Sequence, residues 1–314
     1  MNDSQPDAVL LFTSIEEFEA RSNFHAELQL TADELDRIVG KYELLANRGS
    51  WALCGLNNCH REHRFGYLIR AKDGRETNIG HECGKREFDV EFEEVEARYR
   101  RAVDAQARQR AIKTLLDERD LLVSRCQQIL PVMEKQKAQY SAFRTTFQPL
   151  KSFWTNLQKC SKLGGAVRAA RQQGGGAWNP SGGKEEVVTV GRFAGGGAIL
   201  EDGSGLGGVI ESKVLPWLHA LSAEQLAKVD DAAMAATLRE AAAWRGTLDR
   251  AETFAAQCAA LLTSQNVAAM QAICDHLMRT SESEHARALL EKWVAESQAN
   301  GVPQKPVRIH RERW

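Results

Sequence analysis

Residues 51 to 85, WALCGLNNCHREHRFGYLIRAKDGRETNIGHECGK, hold three of the chain's seven cysteines and three of its eight histidines. No other stretch limits the possible folds as strongly, because thiols and imidazoles at turn spacing fold most readily around a metal ion. An odd total of cysteines, with three crowded between positions 54 and 83, is poor material for a disulfide framework. Cys54 and Cys59 form a first ligand pair on the turn CGLNNC, where Gly55 and two asparagines tolerate left-handed backbone. Cys83 lies at a helix start, where the positive end of the helix dipole favours a thiolate. A tetrahedral structural Zn2+ needs a fourth ligand, and His63 and His81 stand level for it. His60, adjacent to Cys59, is strained as a partner.

Around the cluster, FGYLIRAKDGRETNIG alternates as a β-hairpin about Asp73-Gly74, and a helix follows near Cys83. Upstream, AVLLFTS reads as a short strand followed by two helices. The second of these helices carries the capping signal Thr31 to Glu34 ahead of Leu35, Ile38, Val39 and Tyr42 at helical spacing. Knuckle, hairpin and ligand-bearing helix together resemble the treble-clef type of zinc finger. The string CxxxxC, GYLI and NIGxxCG is also loosely similar to zinc modules at the front of uncharacterised phage and mobile-element proteins. The resemblance covers roughly residues 50 to 95 and implies a metal and a local fold, but no activity. The other four cysteines, Cys126, Cys160, Cys258 and Cys274, fall singly in helical patterns and read as buried small hydrophobes.

The fold class expected is mainly α: an N-terminal α/β zinc module (1–97), a broken helical hairpin or coiled coil (98–163), a Gly-rich linker (164–183), a small β meander (184–215), a C-terminal helical bundle (216–300) and a basic tail (301–314). With Ile112 at heptad position a, the seam runs through Leu115, Leu122, Cys126, Ile129, Met133, Tyr140, Phe143 and Phe147 to Leu150, Trp154 and Leu157, interrupted only by Arg119 and Gln136. Pro131 and Pro149 each remove a backbone donor, so kinks or breaks are expected there. The meander is expected from EEVVTVGRF, GGGAILEDGSG and LGGVIESKVL. Trp217, Trp244 and Trp293 are expected in the core of the C-terminal helices.

Charge is unevenly spread. Residues 1–97 carry 11 basic against 20 acidic side chains, residues 98–171 carry 16 against 5, and the remainder 14 against 17. Arg98, Arg100, Arg101, Arg108, Arg110 and Lys113 crowd one helical segment. Such a segment suits DNA or RNA phosphates, or the acidic stretch Glu87 to Glu96 just before it. Nothing declares an enzyme: no phosphate loop and no nucleophile elbow occur, and Gly203-x-Gly205-x-x-Gly208 precedes a strand-like run where a phosphate-binding helix would have to begin. With no basic leader and no long apolar run, the chain reads as cytoplasmic, without a membrane span. The leading reading is a structural-zinc protein that binds nucleic acid through its basic arm, within a larger complex. One rival is an adaptor or self-associating protein using the heptad seam; another is a zinc-dependent hydrolase or nuclease using Glu62 or Glu82 as base.

Overall fold

A computed structural model describes residues 10–44, 51–173, 184–201, 203–226, 228–278 and 280–299. The basic tail and half of the Gly-rich stretch lie outside the described residues. The chain is mostly helical, with a small sheet region near its N-terminus, and it divides into two units at Thr114/Leu115, with Val229–Leu238 joining the first.

In the first unit, β1 (Leu10–Phe12) is followed by α1 (Ile15–Glu19), β2 (Leu35–Glu43), β3 (Ala52–Leu53), β4 (Glu62–His63), β5 (Phe65–Ala71) and β6 (Glu76–Gly80). The main sheet has the order β1-β2-β5-β6, with β1 parallel to β2 and the other pairs antiparallel, while β3 and β4 pair separately. The expected hairpin is present as β5 and β6, with Gly74 at φ 94° in the turn. The helix expected over Leu35 to Tyr42 is instead strand β2. Its capping box is formed, but it caps only the 3-10 turn Ala32–Glu34. Two bulges, between Leu35 and Arg37 and between Ile38 and Gly40, bury Leu35 and Ile38 three residues apart, so a bent strand imitates helical spacing.

The sheet is covered on both faces. Ile38, Ile69 and Ile79 pack with Leu56, Phe88 and Phe92 in one cluster, whereas Phe12, Tyr42 and Leu68 pack with Phe18 and Leu44 in the other. Adjacent Leu68 and Ile69 thus serve opposite faces, as strand alternation requires. At the end of the hairpin Gly66 pairs with Gly80, and a side chain at Gly66 would come within 2.2 Å of the Ile79 carbonyl and 2.3 Å of the Tyr42 hydroxyl. Gly66→Ala should therefore destabilise the protein by about 2 kcal/mol. A thermal melt checks this, and an unchanged midpoint would refute the close approach.

Helix α2 (His81–Phe147) starts directly at the end of β6 and leaves helical geometry only at Asp89 (φ 42°, ψ −114°). Of the kink or break expected at Pro131, the break is absent: the helix continues through it. The turn comes at Gln148–Leu150, beside Pro149, before α3 (Lys151–Lys162).

In the second unit the seam positions from Leu115 to Phe147 are buried apart from Arg119, whose guanidinium donates to the Leu221 carbonyl at 3.1 Å. After the turn the buried positions shift to Phe153, Leu157 and Cys160. The strands β7 (Ala166–Gln173) and β8 (Lys184–Arg192) form an antiparallel ribbon, so part of the expected linker is a strand. Of the three expected meander strands only the first exists. GGGAIL forms the helical turn α4 (Gly197–Leu200), and LGGVIESKVL forms α5 (Leu206–Val209), a π-helical turn (Ile210–Val214) and the start of α6 (Leu215–Ala220). Ile210, Val214 and Leu218 are buried at intervals of four, the helical period that prevails over their β-branched character.

The chain continues through α7 (Ala223–Leu226), α8 (Asp231–Leu261), α9 (Ser264–Leu277) and α10 (Thr280–Ala299). Side chains of α8 and α10 fill the heptad seam. Tyr140 meets Phe254 edge-on at 5.7 Å, Phe143 meets Trp293 at 5.6 Å, and the ion pairs Glu118–Arg245 and Arg125–Glu252 flank the stripe. These seam side chains therefore have contacts within the chain. Trp217, Trp244 and Trp293 are half-buried rather than central.

Candidate metal centre

The CGLNNC turn is fixed from several directions. The Cys54 N–H donates to the Arg61 carbonyl at 2.9 Å, the Gly55 N–H to the Asn78 carbonyl at 3.0 Å, and the Cys59 N–H to the Leu56 carbonyl at 2.9 Å. Asn57 (φ 49°), Asn58 (φ 56°) and His60 (φ 48°) take the left-handed conformations that tighten the turn. Gly55 serves another purpose: a Cβ there would stand 2.3 Å from Thr77 Oγ1 and 2.4 Å from the Ala26 carbonyl. The Asn57 side chain accepts from the Leu30 N–H at 2.9 Å and donates to the Leu30 carbonyl at 3.1 Å, tying the turn to the preceding loop.

Cys83, the third residue of α2, enters this turn from the helix. The Sγ atoms of Cys54, Cys59 and Cys83 all lie within 4.8 Å of one another, and Cys59 and Cys83 are 3.5 Å apart. Cys54 and Cys83 are buried, and Cys59 is half-exposed. The chain matches no family model, no curated protein and no solved structure. What the site can do is therefore read from its own donor set: a three-thiol group able to hold a metal ion.

The thiols differ sharply. Burial raises Cys59, but hydrogen bonds from the Arg86 guanidinium, the Arg61 N–H and the two neighbouring cysteines outweigh it and bring the thiol down to about 7. Burial pushes Cys83 up to about 12, with the sulfurs of Cys59 and Cys54 adding to the rise. Cys54 is also raised, by burial first, against the donors from Leu56 and Gly80. The helix dipole expected to favour a thiolate at Cys83 is thus overcome by desolvation and by the adjacent sulfurs. A divalent cation among the three sulfurs would relieve both penalties at once.

Among the described residues no histidine joins the thiol group. His63 Nδ1 lies 2.5 Å from the Tyr42 hydroxyl, which itself donates to the Ile79 carbonyl at 3.3 Å. Burial holds the His63 imidazole down to about 4, so it is neutral at physiological pH. His81 Nδ1 is 3.4 Å from Glu96, and His60 Nε2 is 3.6 Å from Glu27. Glu62 and Glu82 are exposed and also lie outside the group.

The residue that sequence reasoning missed is Arg86. One helical turn after Cys83, it lies on the same helix face and its guanidinium donates to Cys59 Sγ at 3.5 Å. The spacing from Cys83 was the available signal.

The basic arm is partly committed within the chain. Arg100 pairs with Glu96 at 2.7 Å, Arg108 forms a two-point contact with Asp231, and Arg98 donates to the Asp36 carbonyl at 3.4 Å. Arg101, whose Nε donates to the Ala97 carbonyl at 3.3 Å, is exposed, as are Arg110 and Lys113. The remaining cysteines are buried as expected, and burial pushes Cys258 up to about 12 and Cys274 up to about 11. Among the described residues no helix is long and apolar enough to cross a membrane.

Proposed function

We propose that the chain is a structural-zinc protein that binds nucleic acid through the exposed cations of α2. The observation that carries the zinc reading is the convergence of three sulfurs from a knuckle and a helix start. Thiolate sulfur is the donor zinc takes most often in structural sites. Zinc here would fasten the β3–β4 knuckle to the start of α2, which fixes where the helix leaves the sheet.

The nucleic-acid reading is supported by Arg101, Arg110 and Lys113, which are exposed, while Arg100 and Arg108 are occupied by carboxylates. Side chains of this kind neutralise phosphates without reading sequence. Fluorescence anisotropy of the zinc-loaded chain against single- and double-stranded DNA and RNA, at about 50 and about 200 mM salt, tests it. The triple reversal of Arg101, Arg110 and Lys113 to Glu should weaken every sequence alike and flatten the salt slope by about three. Undiminished binding by that variant, or no binding at the lower salt, would remove the arm from the function.

A further inference from the structure

Arg86 occupies a position where a fourth protein ligand would be expected. Cys83 sits in the first turn of α2, and the next residue on the same face, three positions on, is an arginine whose guanidinium touches Cys59 Sγ. None of the three histidines of the region joins the thiol group: His63 is held through Nδ1 by Tyr42 with its Nε2 buried and unpartnered, His81 Nδ1 lies 3.4 Å from Glu96, and His60 Nε2 lies 3.6 Å from Glu27. Cys54 and Cys83 are buried, while Cys59 is half-exposed and the Arg86 side chain is 45% exposed, so the cluster meets solvent along the Cys59–Arg86 side.

We infer that a metal ion on Cys54, Cys59 and Cys83 keeps its fourth coordination position open toward Arg86, and that this position takes the thiolate of a small-molecule thiol. The inference rests on the zinc reading above. A site with three protein ligands holds water or an exogenous ligand in the fourth place. Three thiolates on Zn2+ carry a net charge of about −1 and a fourth would make about −2. The guanidinium beside Cys59, which also pairs with Glu87 at 2.7 Å, offsets part of that added charge. In the exchange a metal–water bond breaks, a metal–sulfur bond forms, and the proton of the incoming thiol leaves to solvent.

The experiment uses the full chain loaded with Co2+, whose visible spectrum reports coordination, titrated with 2-mercaptoethanol. The expected result is a saturable shift of the ligand-field bands, with sulfur-to-metal charge transfer rising by about a third as four sulfurs replace three. Cobalt should stay with the protein through gel filtration. Arg86→His should close the site, raising cobalt affinity by about ten-fold or more and abolishing the response to thiol. A loaded wild-type spectrum that ignores 2-mercaptoethanol, and that changes in His63→Ala or His81→Ala, would overturn the open position while leaving the metal reading intact. Failure of the wild-type chain to bind cobalt or zinc would overturn both.

Discussion

Cys83→Ser should lower zinc affinity by a hundred-fold or more and leave the purified protein with little bound metal. Structural zinc contributes on the order of 10–16 kcal/mol over four ligands, so each thiolate accounts for about 3 kcal/mol. Cys83 is also the link between the helix start and the knuckle, since the other two thiols share the Cys54–Cys59 turn. The loss should be local. Strands β5 and β6 are held by the main sheet, with Ile69 and Ile79 fully buried, whereas β3 and β4 pair only over Ala52–Leu53 and Glu62–His63. Hydrogen exchange should therefore quicken across residues 52–63 while the amides of β5 and β6 keep their protection. Metal content by mass spectrometry and exchange mapping check this together. Unchanged zinc stoichiometry in the variant would rule out Cys83 as a ligand.

Glu76→Gln should cost about 3 kcal/mol and lower the melting midpoint of the first unit by about 10 °C. The carboxylate is completely buried and receives Arg21 at 2.7 Å on one oxygen and Arg70 at 2.6 Å on the other. Its backbone ties the preceding loop to the sheet, with the Glu76 N–H donating to the Asn23 carbonyl and the His25 N–H donating to the Glu76 carbonyl, both at 2.8 Å. An amide of the same shape leaves two guanidinium groups facing a neutral partner. Both arginines keep some solvent contact, 29% and 23%, which places the cost at the lower end of that for breaking a buried pair.

The pH dependence follows from the carboxyl. Burial raises its pKa, but the hydrogen bonds and charges of Arg21 and Arg70 outweigh that and hold it below the ordinary glutamate value. A group depressed in the folded state contributes stability that is fully present above its unfolded pKa, about 4.3, and is lost as pH falls through the folded value. The gap between wild type and Glu76→Gln should therefore be widest near neutrality and close as the pH falls below about 4. A gap that persists unchanged at pH 3 would show that the ion pairs do not supply the difference.

Much of the candidate site could be read locally. Asn57 and Asn58 take the left-handed turn that their residue types permit, the hairpin turns at Asp73-Gly74, and a helix opens just before Cys83. Arg86 could have been placed by its three-residue spacing, but its contact with Cys59 depends on where the knuckle lies. Arg70 faces Glu76 across the hairpin that the sequence marks, but the Arg21 pair was not legible, because Arg21 stands 55 positions away and only the fold brings it to β6.

What the sequence determined by itself was what depends on neighbours a few residues apart: the cysteine turn, the β5–β6 hairpin, and the apolar stripe from Ile112 to Phe147, which is buried as its spacing requires. Tertiary structure decided what depends on partners. Leu35 to Glu43 became a bulged strand because β1 and β5 supply its hydrogen bonds, and Ala166 to Gln173 became a strand because β8 lies alongside. The heptad stripe meets side chains of α8 and α10, elements that its own spacing could not name, since a seam specifies only that it must be covered.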